Sequence, residues 1–224
     1  MSAFTRMAFG VNKDILAGAG KTKLVSTVVD SLRGTLRNAQ NDESLAYFYC
    51  DRNQSDRRNP VLILNSLVKQ LSTSQSCDAI QPSLVQLHAE KEITGFASNE
   101  INIEESEKIL PELVNVHPQT TIVPDALDEC DRRTRGRLIE VLDGLLEQSS
   151  KPIKIFISSR PDQDIKDRFD SEPNVRIQAT DNQSDISTFV ENKIEKSPEK
   201  WRKRISADLR WDIRKTLVEK SNGM

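Results

Sequence analysis

Apolar residues recur along this chain with two different periods. After residue 22, apolar residues recur every three or four positions, which predicts an amphipathic helix over about 22–37. Elsewhere, short apolar runs bounded by turn-forming residues indicate buried strands. Such runs predict strands at 45–50, 120–123, 153–157 and 174–178.

Helical patterns separate these strands. Asn59 and Pro60 form a start signal, with Asn as the cap and Pro in the first turn, and Thr134 is a second predicted cap. Further helices are predicted at about 80–92, 103–115 and 163–169, and another after 182. Strands that alternate with helices favour a three-layer α/β fold with a mostly parallel sheet. Residues 181–224 are predicted to form a helical extension, with an apolar stripe that needs a covering partner: Ile205, Leu209, Ile213 and Leu217.

Composition narrows the classes of function. Charged residues make up 29% of the 224 residues and the net charge is −2, so we expect no bulk electrostatic binding to nucleic acid. No apolar run is long enough for a membrane span, and no signal peptide is predicted. Three scattered cysteines and two histidines fit neither a disulfide framework nor a zinc site. These features predict a cytoplasmic protein.

A phosphate-binding loop is the first chemical motif. Residues 17–22 read Ala-Gly-Ala-Gly-Lys-Thr and lead directly into the first predicted helix. Backbone N–H groups of Gly18, Ala19 and Gly20 can point at phosphate oxygens, and a helix N-terminus favours anions. Lys21 can reach the β- and γ-phosphates, and the Thr22 hydroxyl is a natural Mg²⁺ ligand.

The approach to this loop departs from the usual P-loop pattern. Ile15 stands where the pattern G-x-x-x-x-G-K-[ST] has glycine, and the preceding stretch is too polar for a buried strand. We therefore expect residues 9–16 to be a poor substitute for the central strand, and residues 1–14 to be poorly ordered or loosely paired. Pro124 should also remove one N–H from the sheet ladder.

Candidate catalytic groups follow two predicted strands. Because ligands of parallel sheets lie at the carboxyl ends of the strands, Asp125 and Arg160 should share one edge with the phosphate loop. Asp125 can hold Mg²⁺, directly or through water, and Arg160 can contact a γ-phosphate. Either Asp128 or Glu129 can orient or deprotonate an attacking water.

Four ordered motifs carry a family resemblance: Gly18–Thr22, Tyr47–Cys50, Asp125–Cys130 and Phe156–Pro161. Together they resemble the NACHT-type NTPase domain of the STAND class, in its fungal, nephrocystin-like form, which often precedes ankyrin or WD repeats. The resemblance implies a P-loop NTPase core over 15–180. It also implies Lys21 and Thr22 in Walker A, Asp125 in Walker B with Asp128 and Glu129 as extra acids, and Arg160 as sensor 1.

By this resemblance, the chain is expected to be a signalling switch that binds Mg²⁺ with ATP, or GTP, and hydrolyses it slowly. Its expected partners are other protein domains, among them a winged-helix region and repeats beyond residue 224. One alternative is a decayed nucleotide site that acts as a protein-interaction scaffold. Another is a turnover enzyme, either a small-molecule kinase or a nucleotide-driven motor. A motor would use a trans-acting arginine from Arg132, Arg133 or Arg135, but the sequence favours solvated loop charge for these three.

Overall fold

The computed structural model describes residues 5–10, 21–38, 42–73, 79–93, 100–160, 162–169, 172–173, 175, 183–202 and 204–221. Four parallel strands in these ranges form one sheet in the order β1-β4-β3-β2. The strands are β1 (Thr5–Gly10), β2 (Ser44–Tyr49), β3 (Thr120–Asp125) and β4 (Ile153–Ser159). A strand predicted at 174–178 lies, apart from residue 175, outside the described residues.

Ten described helices accompany the sheet. The helices whose bounds the sequence predicts begin and end within about two residues of those bounds. The ten helices are α1 (Lys21–Asn38), α2 (Ser55–Arg58), α3 (Pro60–Leu71), α4 (Pro82–Ile93), α5 (Ile103–Val116), α6 (Arg135–Gln148), α7 (Gln163–Phe169), α8 (Gln183–Glu195), α9 (Glu199–Arg202) and α10 (Ala207–Ser221). No helix in the described part of the chain is long and apolar enough to cross a membrane.

Alternate residues of the strands divide the sheet between two helical layers. Ala46 and Ile122 point into the larger core, which α3, α5, α6 and α7 cover. Val123 and Tyr47 point to the opposite face, where they pack against the apolar stripe of α1. This two-residue period places a helix layer on each face of the sheet, so the predicted three-layer α/β/α arrangement is present.

Of the two helix caps that the sequence predicts, one is present and one is not. The Asn59 side chain accepts a hydrogen bond from the Val61 N–H at 3.0 Å, as expected for a cap. Thr134 occupies the N-cap position of α6, but its side chain makes no capping bond, so that part of the prediction is wrong. The Thr134 hydroxyl instead donates a long hydrogen bond, 3.5 Å, to the Asp131 carbonyl.

The N-terminal strand also corrects the sequence analysis. β1 begins at Thr5, earlier than the expected 9–16 segment, and all six of its residues pair in register with β4, from Thr5 with Lys154 to Gly10 with Ser159. The expectation of loose pairing is therefore wrong for residues 5–10. Backbone pairing, which does not depend on side-chain polarity, supplies this strand where the hydrophobic pattern did not indicate one.

Pro124 has the predicted effect on the ladder. The Cys50 N–H donates to the Asp125 carbonyl at 3.0 Å, so Asp125 faces β2 and its neighbour Pro124 faces β4. Pairing between β3 and β4 ends at Ile122 with Ile155, two residues before the proline. The carboxyl ends of β3 and β4 are consequently free of ladder bonds to each other, and this is where the candidate site lies.

Candidate functional site

Lys21 connects the phosphate loop with the acids of the sheet edge. Gly18, Ala19 and Gly20 lie outside the described residues, whereas Lys21 opens α1, half-buried, and Thr22 is exposed. Burial lowers the pKa of the Lys21 ammonium below its ordinary value.

Four charged groups act on that same ammonium. The nearby acids, led by Asp128 and followed by Asp125 and Glu129, counteract the lowering of the Lys21 pKa, and the Arg160 guanidinium adds to it. The structure thus brings the end of the predicted phosphate loop into electrostatic range of Arg160 and all three predicted acids. These residues come from three separate stretches of sequence, and only the sheet topology places them together.

Asp125 is held at the end of β3 by a residue of the neighbouring strand. Its side chain is buried and accepts a hydrogen bond from the Ser158 hydroxyl. The same hydroxyl accepts a hydrogen bond from the Ala126 N–H at 3.0 Å. Ser158 therefore links β4 to β3 just beyond the point where Pro124 ends their ladder.

The backbone turns sharply after Asp125. Ala126 has φ 53° and ψ 49°, in the left-handed region that costs a residue with a Cβ about 1–2 kcal/mol. The turn leads into a single 3₁₀ turn, Leu127–Glu129, which carries the other two acids. Such a conformation persists because the surrounding contacts hold it, and here Ser158 is one of them.

The Asp128 carboxylate is enclosed between two arginines. The Asp128 side chain is only 3% exposed, and its Oδ1 accepts the backbone N–H of Arg160 at 2.8 Å. Its Oδ2 lies 3.6 Å from the Arg160 Nε and 3.4 Å from an Arg52 Nη. Asp128 thus orients the arginine that follows β4 through both its backbone and its side chain.

Glu129 is more accessible, with 23% of its side chain exposed. Its Oε2 accepts the backbone N–H of Arg52 at 3.3 Å, and its Oε1 lies 3.8 Å from the Arg52 guanidinium. Arg52 belongs to the loop after β2, and just over half of its side chain is exposed. Of the two candidate acids for activating water, Glu129 is the more exposed and has the longer contacts with its partners.

Sequence reasoning missed three residues that shape this site. Ser158 lies inside the Phe156–Pro161 motif, in which the sequence indicates a role for Arg160 alone. Arg52 is not indicated by any motif in the sequence, and its one signal is that it is a basic residue shortly after a predicted strand. Arg135 was offered as a trans-acting or solvated arginine, and this is wrong, because its side chain is fully buried and paired with Asp162 and Asp164.

Comparison with known proteins gives one family and several distant structures. Residues 15–160, well over half of the chain, match the family model described as Nephrocystin 3, N-terminal. No curated protein matches the sequence.

Two solved structures from Aeropyrum pernix are among those that resemble the fold. The ORC1 protein in complex with DNA has a TM-score of 0.50 and 12% identity, covering 84% of this chain and 44% of its own. The ORC2 protein with ADPNP and ADP has a TM-score of 0.44 and 13% identity, covering 87% of this chain and 46% of its own. The chain therefore spans less than half the length of either protein, and the likeness to ORC1, with the family match, confirms the predicted P-loop NTPase fold.

Proposed function

The chain belongs to the nephrocystin 3 N-terminal family, and we propose that its P-loop domain is a nucleotide-dependent signalling switch of the NACHT/STAND type. It would bind Mg-ATP or Mg-GTP and hydrolyse it slowly. The observation that carries the proposal is the convergence of Lys21, Asp125 and Arg160, with Asp128 and Glu129, at one edge of the sheet. A cation at a helix start, facing acids that can serve a metal, is the charge arrangement that a nucleoside triphosphate requires.

Lys21 is proposed to bind the β- and γ-phosphates. Burial destabilises its charged ammonium and so lowers its pKa. A negatively charged triphosphate beside the ammonium would stabilise that charge. Backbone N–H groups of Gly18, Ala19 and Gly20 are proposed to hold the same phosphates. The start of α1, with its positive end toward the loop, would act in the same direction.

Asp125 and Thr22 are proposed to hold the Mg²⁺ ion. Both supply oxygen, the donor that Mg²⁺ prefers, and one or two protein ligands suffice because phosphates and water complete the shell. When bound, the ion would offset phosphate charge.

The remaining roles follow from exposure and contacts. Glu129 is proposed to orient or deprotonate the attacking water, because Asp128 is enclosed and engaged with two arginines. Asp128 instead holds Arg160, whose side chain is 37% exposed and could contact the γ-phosphate. Hydrolysis would change these contacts and, with them, the packing of this domain against neighbouring protein domains. We place this switch in the cytoplasm.

Calorimetry on the purified chain with Mg-ATP, Mg-ADP and Mg-GTP tests this function. Lys21→Ala should weaken binding by about 2–3 kcal/mol, the scale of a lost charge-assisted contact. Lys23→Ala is the matched control, since Lys23 is exposed on the same helix and should leave affinity unchanged. Absence of binding by the parent chain would favour the decayed scaffold, and equal losses in both variants would remove the loop from the site.

A second arm separates binding from hydrolysis. Glu129→Gln should keep nucleotide affinity and slow turnover by about 10²-fold or more, because the carboxylate that activates water is lost. If Glu129→Gln turns over at the parent rate, Asp128 becomes the catalytic acid despite its enclosure.

A further inference from the structure

An ion pair that contains a buried arginine lies next to the candidate site. Arg135, the first residue of α6, has a fully buried side chain, and among the described residues it is the one lysine or arginine that is buried. Its Nη2 lies 2.7 Å from both carboxylate oxygens of Asp164, and its Nε donates to Asp164 Oδ2 at 3.0 Å. The same Nη2 donates to Asp162 Oδ2 at 3.1 Å.

These contacts belong to a closed circuit that passes through Arg160. The Arg160 N–H donates to Asp128, and the Arg160 carbonyl accepts the N–H of Asp162 at 2.9 Å. The Asp162 carboxylate contacts Arg135, whose Nη1 reaches the Leu127 carbonyl at 3.5 Å. Leu127 directly precedes Asp128, so the circuit returns to its starting point.

We propose that Arg135 is a positioning residue that, through Asp162, sets Arg160 against the γ-phosphate. This inference rests on the proposed nucleotide-binding function. A guanidinium is a rigid planar fork, so its bonds fix the directions of several groups at once. Because a buried charge cannot be left unpaired without a large loss of stability, the acid-bearing 3₁₀ turn, α6 and the Arg160 segment should move as one body.

A change at Asp162 can distinguish the positioning of Arg160 from the neutralisation of the Arg135 charge. Asp164 alone gives Arg135 a bidentate carboxylate partner, so Asp162 is not needed to neutralise the buried charge. Asp162 is, however, the residue whose backbone bonds to Arg160. Changing Asp162 therefore leaves the buried guanidinium paired with Asp164.

The test therefore uses Asp162→Ala beside Arg135→Lys in the full chain. Its readout is the ratio of Mg-ATP to Mg-ADP affinity, which isolates the γ-phosphate contact. Both variants should lower this ratio about tenfold, toward that of Arg160→Ala, and Asp162→Ala should cause no further loss when Arg160 is already alanine. Arg137→Lys is the matched control, because Arg137 lies on the same helix with an exposed ion pair, and its ratio should equal the parent's.

Exchange of the Arg160 backbone amide with deuterium gives a second readout that needs no nucleotide. Asp162→Ala should speed this exchange at least tenfold, whereas Arg137→Lys should not. If the parent binds no nucleotide but the exchange changes, the proposed function fails and the positioning of Arg160 stands. An unchanged exchange rate overturns the inference, as does an unchanged affinity ratio in a chain that binds nucleotide, even if the variants melt at lower temperature.

Discussion

At the scale of single residues, one hydroxyl joins the two strands that carry the site. Ser158 donates to the Asp125 carboxylate and accepts the Ala126 N–H, in a place where Pro124 leaves no ladder bond. The left-handed Ala126 and the buried Asp125 therefore depend on a residue more than thirty positions later in the chain. A short polar side chain at this position therefore links β3 to β4 beyond the end of their backbone ladder and gives the buried Ala126 N–H a partner.

Ser158→Ala should lower the free energy of unfolding by about 1–3 kcal/mol, because it leaves a buried carboxylate oxygen and a buried N–H without their partner. Urea unfolding of parent and variant measures this loss. Ser72→Ala is the control, since the exposed Ser72 hydroxyl donates only to the nearby Lys69 carbonyl at the end of α3. Losses of the same size in the two variants would contradict the role given to Ser158.

At the scale of elements, α5 shows how local sequence fixes a helix start. The Asn102 side chain accepts the Glu105 N–H, and the Glu105 carboxylate accepts the Asn102 N–H, both at 2.8 Å. This reciprocal capping box satisfies two of the N–H groups that a helix start leaves unpaired. Glu105 also pairs with Lys91 of α4 at 2.8 Å, so the same side chain ties two helices together.

The charge of Glu105 makes this contact dependent on pH. Burial tends to raise the Glu105 pKa, but the bonds from Lys91 and Asn102 outweigh it and hold the pKa below its ordinary value. A lowered pKa in the folded state contributes stability above the ordinary glutamate pKa of about 4.3, and that stability is lost as pH falls through the lowered pKa.

Glu105→Gln should therefore lower stability by up to about 1 kcal/mol at pH 7, the scale of a partly exposed ion pair. At about pH 3 the difference should shrink, because the parent is then losing the charge as well. Urea unfolding at both pH values measures it. Glu104→Gln, at the exposed neighbouring position, is the control and should show no such pH dependence; a constant deficit for Glu105→Gln would show that charge is not the cause.

At the scale of the whole molecule, the C-terminal helices leave apolar surface uncovered. α10 contacts α8, and Arg214 lies 3.4 Å from Glu191 across that contact. Large apolar side chains on these two helices are nevertheless 45–61% exposed: Phe189, Leu209, Trp211 and Leu217. Ile205 and Ile213 are half-buried, so the predicted apolar stripe is covered only in part.

The chain should consequently bind the dye ANS or self-associate, since grouped apolar exposure of this kind favours association. Replacing Leu209 and Leu217 with glutamine should reduce dye fluorescence and the fraction of larger species in sedimentation. Val85→Gln, on the separate exposed surface of α4, controls for dye bound elsewhere. A monomeric parent without dye binding would show that this surface is not available to a partner.

The sequence alone determined most of the elements and the types of chemistry. Helical and strand periods, and caps such as Asn59, depend on neighbouring residues, so strands β2 to β4, most of the helices and the P-loop fold were predictable. The strand ends also indicated Asp125 and Arg160 in advance, because parallel strands end at a common edge. The roles of Asp125 and Arg160, like those of Lys21, Thr22, Asp128 and Glu129, remain predictions.

Tertiary structure decided what depends on residues far apart in the chain. β1 exists through pairing with β4, which no local pattern near Thr5 indicates. Arg135 is a buried partner of Asp162 and Asp164 although it lies in an arginine-rich stretch that reads as solvated. Desolvation and partner geometry are set only when distant segments pack, so a charge that looks free in the sequence becomes part of the site's framework in the fold.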